Sequence, residues 1–187
     1  VLGGGNDTIS MTSGNMSNSF FGAGAGNDNL AFGITGLNAS ANLAEIFGGG
    51  GNDIIYVSGE VGGSGLDING DSSANGGGAD TITFEGILSG STVRGKGGAD
   101  VIAVTKTAEG TGSEILGNAG GDLINVSAGL AGSANLIGGG SGNDTIIFSG
   151  TVLHSAASIV GGGGADSITI VSADAISGGI YGGLGAD

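Results

Sequence analysis

Aspartates at a fixed spacing are the feature of this sequence with the most chemistry in it. They recur at Asp7, Asp28, Asp53, Asp80, Asp100, Asp122, Asp144, Asp166 and Asp187, at intervals of 21, 25, 27, 20, 22, 22, 22 and 21 residues. Nine of the chain's twelve aspartates stand at this one position. Two residues before each comes a glycine: Gly5, Gly26, Gly51, Gly78, Gly98, Gly120, Gly142, Gly164 and Gly185. A carboxylate is a hard oxygen ligand, and a glycine ahead of it admits positive φ and leaves its carbonyl free to face an ion. A single Gly-x-Asp turn is most simply an aspartate capping its own backbone. Nine in phase point instead to a row of oxygen-lined cation sites.

The elements that must position this row follow from aligning the copies on Asp. Two residues after it stands an aliphatic: Ile9, Leu30, Ile55, Ile82, Ile102, Ile124, Ile146 or Ile168. Four after it stands a second apolar side chain: Met11, Phe32, Val57, Phe84, Val104, Val126, Phe148 or Ile170. That spacing of two is the period of a strand with one buried face. Seven residues before Asp comes Phe21, Ile46, Val93, Ile115, Ile137, Ile159 or Ile180. The Asp80 copy has Ser73 there, and its equivalent is Ile68, upstream of an insertion at Asp71-Ser72-Ser73-Ala74-Asn75. Each repeat therefore reads as a strand, a glycine turn ending in Asp, a second strand and a looser Ser/Ala/Thr-rich return. The returns carry Leu37, Val61, Ile87, Leu88, Leu130, Val152, Leu153 and Ile176, which we expect to plug the other edge of the core.

About 22 residues per repeat suffices for two short strands and two turns, which is one coil. A single coil cannot bury its apolar positions, so successive coils must stack in register. The expected fold is all-β: a parallel β-solenoid (β-roll or β-helix) of about eight coils, on the order of 40 Å long at the usual interstrand spacing. Stacking also sets each turn Asp above the last. Carboxylates about 5 Å apart repel by roughly 1 kcal/mol per neighbouring pair in water, and several-fold more at lower dielectric. Only Arg94, Lys96 and Lys106 carry positive side chains, and none is placed to neutralise the row. A divalent cation between turns removes the conflict, and Ca²⁺ suits it because it takes six to eight oxygens in irregular geometry.

The segments Gly161-Gly162-Gly163-Gly164-Ala165-Asp166-Ser167-Ile168 and Gly48-Gly49-Gly50-Gly51-Asn52-Asp53-Ile54-Ile55 resemble the G-G-x-G-x-D-x-U-x nonapeptide of the RTX (repeats-in-toxin) family. The resemblance extends over essentially residues 1–187 as one domain. It implies a β-roll that binds Ca²⁺ between turns and is secreted by Gram-negative bacteria or cyanobacteria through a type I system. It further implies that the nine aspartates are side-chain ligands. Turn carbonyls would complete the sites, drawn from Gly3, Gly5, Gly24, Gly26, Gly49, Gly51, Gly76, Gly78, Gly98, Gly120, Gly140, Gly142, Gly162, Gly164, Gly183 and Gly185. This chain departs from the family pattern in three ways. Lys96 and Asn118 replace a turn glycine before Asp100 and Asp122, an expected weak point. The turns before Asp28 and Asp144 read as one residue longer. The motif comes once per coil of about 22 residues rather than about every nine, so calcium is expected along one edge only. The terminal sites at Asp7 and Asp187 are expected to be half-built.

Composition narrows the function. With 47 Gly, no Pro and 4% aromatic residues among 187, the chain is neither collagen-like nor an ordinary enzyme. Its 17 acidic against 3 basic side chains give a net charge of −14, which repels nucleic acid and anionic lipid and attracts cations. Cysteine is absent, and no apolar run is long enough to span a bilayer. No zincin helix, nucleophile elbow or P-loop occurs, so no enzymatic activity is expected. His154, the single histidine, reads as a return-loop residue, and Asp67, Asp174 and the five glutamates as surface charge. Asp71, in the insertion, is a candidate for an extra ligand.

The leading expectation is a calcium-stabilised structural module of a secreted bacterial cell-surface protein (S-layer, filament or matrix). It would be a segment of a longer repetitive protein, self-associating end to end or in a lattice. The alternatives are a C-terminal secretion and folding domain of an RTX toxin, protease or lipase, and an adhesin module that binds glycans or a partner surface.

Overall fold

The structure is a computed structural model that describes residues 2–16, 18–36, 44–60, 65–72, 77–106, 111–127, 129–130, 132–153, 156–171 and 175–187. Two parallel sheets of eight strands each face one another across the core. The first sheet is β1 (Thr8–Asn15), β3 (Asn29–Gly36), β5 (Ile54–Glu60), β7 (Thr81–Ile87), β9 (Val101–Val104), β11 (Leu123–Val126), β13 (Thr145–Phe148) and β16 (Ser167–Ile170), in that spatial order. The second is β2 (Phe20–Ala25), β4 (Ala44–Gly50), β6 (Leu66–Asp71), β8 (Thr92–Gly97), β10 (Glu114–Ala119), β12 (Leu136–Ser141), β15 (Ser158–Gly163) and β18 (Gly179–Leu184). Two short strands, β14 (Val152–Leu153) and β17 (Ala175–Ile176), pair in the returns. The chain alternates between sheets as it climbs, so it is the expected parallel β-solenoid, with about 22 residues per turn.

Register explains why the apolar positions repeat. Ile9 pairs with Leu30, Leu30 with Ile55, Ile55 with Ile82 and so on to Ile168, one continuous ladder in the first sheet. Met11, Phe32, Val57, Phe84, Val104, Val126, Phe148 and Ile170 form the next ladder. The facing ladder in the second sheet runs Phe21, Ile46, Ile68, Val93, Ile115, Ile137, Ile159, Ile180. Ile68 thus fills the place vacated in the Asp80 copy. Inner rungs such as Ile55, Ile82, Ile102 and Ile124 are wholly buried, each worth about 1.5–3 kcal/mol of transfer free energy. The outermost rungs are less covered: Ile168 and Ile170 are half-buried and Ile180 is 41% exposed.

The far edge is plugged by Leu88 and Leu130, as expected, and also by Met16, Ile34, Ala44, Leu66 and Ala157. Leu37, Val61, His154 and Asp174 lie outside the described residues. The turns before Asp28 and Asp144 are not longer than the others. Gly24 stands opposite Gly49, and Gly140 opposite both Asn118 and Gly162, with no residue inserted. Register is set by the distance from the buried ladder to Asp, which is seven residues from Phe21 to Asp28 and from Ile137 to Asp144, as in the other regular coils.

Candidate metal centre

The aspartates line the corner where each second-sheet strand turns into the next first-sheet strand. Two constraints shape this turn. The glycines two before Asp have positive φ at Gly5, Gly26, Gly51, Gly98, Gly120, Gly142, Gly164 and Gly185. Within the stack, a Cβ at any of Gly26, Gly51, Gly78, Gly98, Gly120, Gly142, Gly164 or Gly185 would collide with the carbonyl oxygen of the equivalent glycine one coil earlier. Those carbonyls therefore point along the solenoid axis, toward the next coil. Four residues before Asp, φ is also positive at Gly24, Gly49, Gly140, Gly162 and Gly183. Lys96 (φ 86°) and Asn118 (φ 80°) adopt the same left-handed conformation there, although side chains disfavour it. The turn shape is thus kept at both positions. Gly76 lies outside the described residues.

Each aspartate from Asp28 to Asp144 ties three coils together. Its backbone carbonyl accepts the amide that begins the next first-sheet strand, as in Thr145 N to Asp122 O at 2.7 Å and Leu123 N to Asp100 O at 2.8 Å. Its Oδ1 accepts the backbone amide of the preceding coil's aspartate: Asp53 N donates to Asp80 Oδ1 at 2.7 Å and Asp80 N to Asp100 Oδ1 at 2.8 Å. The same bond joins Asp100 to Asp122, Asp122 to Asp144 and Asp144 to Asp166, each at 2.9 Å. It also extends to both ends, from Asp7 N to Asp28 Oδ1 at 2.7 Å and from Asp166 N to Asp187 Oδ1 at 3.1 Å. The ladder passes Lys96 and Asn118 without a break.

The second carboxylate oxygen is different. Oδ2 of Asp28, Asp53, Asp80, Asp100, Asp122, Asp144 and Asp166 is buried and has no hydrogen-bond partner. These residues are at most 7% exposed, whereas Asp187 is exposed and Asp7 only partly covered. The Oδ2 atoms of Asp53, Asp100, Asp122, Asp144 and Asp166 press against the glycine five residues upstream, namely Gly48, Gly95, Gly117, Gly139 and Gly161. A Cβ on Gly117, Gly139 or Gly161 would strike both that carboxylate and the carbonyl of the next coil's equivalent glycine. Carboxylate and carbonyl oxygens thus converge on one small space per coil, without a donor between them.

Two contributors escaped the sequence reading. One is that upstream glycine, which recurs at Gly48, Gly95, Gly117, Gly139, Gly161 and Gly182 but stands among other glycines that hide its spacing. The other is an asparagine just before Asp, whose side chain secures the exposed rim of the turn. Asn27 N donates to Asn6 Oδ1, Asn52 N to Asn27 Oδ1 and Ala165 N to Asn143 Oδ1, each at 2.9 Å.

Burial dominates the electrostatics. It pushes the carboxyls of Asp53 and Asp71 up to about 6 and those of Asp80 and Asp122 up to about 7. Asp100 and Asp144 are raised for the same reason. The backbone amide each receives opposes the rise, while neighbouring carboxylates add to it at Asp53, Asp71, Asp80, Asp122 and Asp144. Basic residues give no relief: among the described residues, ion pairs form only at Arg94, with Asp67 at 2.7 Å and Glu114 at 3.4 Å. An array of buried, half-satisfied oxygens suits a hard cation. Among the described residues no three His, Cys, Asp or Glu side chains converge on one metal position, so main-chain carbonyls would have to supply most of the ligands.

Comparison with protein-family models, with curated proteins and with solved structures finds no match to this chain.

Proposed function

We propose that this chain is a calcium-stabilised structural module of a secreted bacterial cell-surface protein, of the RTX type, that folds when it meets extracellular Ca²⁺. The observation that carries the reading is the unbroken row of buried aspartates, each with one oxygen satisfied and the other without a partner. A buried unpaired charge is among the costliest features a fold can hold, and here it recurs coil after coil. Bound Ca²⁺ would supply the missing positive charge and a shared coordination centre for carboxylate and carbonyl oxygens. Asp28, Asp53, Asp80, Asp100, Asp122, Asp144 and Asp166 would hold it, with carbonyls of the turn glycines. A ligand that binds only the folded state stabilises it in proportion to the logarithm of its concentration. In low cytosolic calcium the anionic chain would stay open for export, and millimolar external calcium would close it.

The role we assign is scaffold, not catalysis. Each sheet is a parallel ladder that grows one strand per coil, so end-to-end association of copies would extend the same pairing.

The test is a calcium titration of EGTA-stripped protein followed by far-ultraviolet circular dichroism. We expect β-structure to appear with calcium and to be lost again on chelation. Full β-structure without any divalent ion would overturn the reading. Replacing Asp122, Asp144 and Asp166 together with Ala should raise the calcium midpoint, and an unchanged midpoint would place the ions elsewhere.

A further inference from the structure

The one irregular coil carries a carboxylate that the repeat does not call for. From the buried ladder to the turn aspartate every other coil takes seven residues, as from Ile46 to Asp53, but Ile68 to Asp80 takes twelve. Pairing of β6 with β4 continues through Gly49 and Asp71, so Asp71 stands where other coils carry the left-handed turn glycine. Pairing with β8 ends earlier, at Asn69 and Arg94, and the chain leaves the ladder there.

Asp71 does not use this freedom to reach solvent. It is 0% exposed, its Oδ1 accepts the amide of Gly78 at 3.3 Å, and its Oδ2 makes no well-formed hydrogen bond, although the backbone amide of Gly97 bears on the carboxylate from the next coil. A Cβ on Gly77 would strike both that carboxylate and the carbonyl oxygen of Gly97, so the two oxygens face the same space. In the same coil, Asp80 Oδ2 is also unpartnered, lodged against Gly70 beside the carbonyl of Gly95. Asp71 and Asp80 repel each other across this turn, and Asp53 and Asp100 act on both from the coils on either side. This coil thus brings two buried carboxylates to its turn, each beside a carbonyl of the next coil, where the regular coils bring one carboxylate each.

We propose that Asp71 and Asp80 together form a divalent-cation site of a second kind, which takes Ca²⁺ more tightly than the rest of the row and fills first. The inference rests on the reading of the row as cation-binding. Its physical basis is charge count: two carboxylates match one divalent ion, and affinity for Ca²⁺ follows the number of charged ligands. The insertion, which looks like a defect in the repeat, becomes the point where ordering by calcium starts.

The experiment is calorimetric calcium titration of the EGTA-stripped full chain, with ion counts from native mass spectrometry. The wild type should show one ion bound about tenfold more tightly than the others. Asp71→Asn keeps the acceptor for Gly78 and removes the charge. Asp71→Gly gives this coil the residue that its partner Gly49 has at that place. Both should lose the tight class, while Asp80 keeps its ion at the affinity of the regular coils. Asp144→Asn should lose one ion and keep the tight class. A tight class that survives in both Asp71 variants, or that is absent from a wild type that does bind calcium, overturns the proposal while leaving the row intact. A wild type that takes up no calcium overturns the reading of the row itself.

Discussion

Each aspartate in the row carries two carboxylate oxygens, and the two have separate fates. Oδ1 is a structural acceptor between coils, and Oδ2 is a charge-bearing oxygen held out of water. Asn in place of Asp separates the roles, since it keeps an acceptor and loses the charge. In EGTA at neutral pH, Asp122→Asn should stabilise the folded chain by roughly 1–3 kcal/mol, the usual cost of a buried unsatisfied polar group. In saturating calcium the same change should destabilise it, and thermal melts under both conditions read the reversal. Equal effects in the two conditions would show that Oδ2 meets no cation. Protons are the other partner available to these oxygens. A carboxyl whose pKa is higher folded than unfolded adds stability below its unfolded value of 3.8, and that stability is lost as pH rises through the folded value. For Asp53 and Asp71 the loss runs from about 3.8 to about 6, and for Asp80 and Asp122 from about 3.8 to about 7. Each pKa unit corresponds to about 1.4 kcal/mol per group. Without a cation, the melting temperature should therefore fall between about pH 4 and about pH 7, and calcium should abolish the fall by binding the deprotonated form. A midpoint in EGTA that rises over this range would contradict the assigned burial.

At the scale of the element, strand and turn obey different rules, and they were unequally legible in the sequence. The strands were plain because alternation of two leaves one solution: Ile124 and Val126 inward, Leu123 and Asn125 outward, as found. Ile124 is wholly buried, so Ile124→Ala should cost about 2–5 kcal/mol by denaturant unfolding in calcium. The aspartate positions were equally plain, since their spacing matches the coil. The turn interior was not. Its carbonyls belong to the backbone and leave no trace in residue type, so the glycine that receives Oδ2 was hidden among other glycines. The asparagine rim was missed because its hydrogen bonds run between residues more than 20 apart, which no local turn rule anticipates. Lys96 and Asn118 interrupt the glycine pattern, an expected weak point, but left-handed backbone at both keeps the turn's shape. Asn118 holds that conformation at φ 80° with its Oδ1 buried and unpartnered. Asn118→Gly should accordingly stabilise the chain by about 1 kcal/mol. Gly120→Ala should do the reverse, by about 1–3 kcal/mol or more, because φ there is 137° and the new Cβ meets the Gly98 carbonyl. Chemical denaturation in calcium measures both, and a neutral Gly120→Ala would show that the stacked carbonyls yield readily.

Across the whole molecule, a coil touches only the coils above and below it, so stability should be close to a sum of coil and interface contributions. That makes the repeat itself a unit that can be removed. Deleting residues 123–144 takes out one complete coil of 22 residues and joins Asp122 to Thr145. Every ladder then closes on its own kind. Ile102 meets Ile146 and Val104 meets Phe148 in the first sheet, while Ile115 meets Ile159 in the second, and these residues already share neighbours in the intact stack. The aspartate ladder closes too, because Asp122 then precedes Asp166 as it once preceded Asp144. We expect the shortened chain to fold in calcium with nearly unchanged ellipticity per residue, and to bind one ion fewer. Removing only half of that stretch shifts the ladders out of phase and places the next aspartate away from the corner, so that variant should not fold at any calcium concentration. Circular dichroism and native mass spectrometry on the pair decide the matter. If the whole-coil deletion also fails to fold, stability does not reside in interchangeable coils, and cooperation along the full stack must hold the row together.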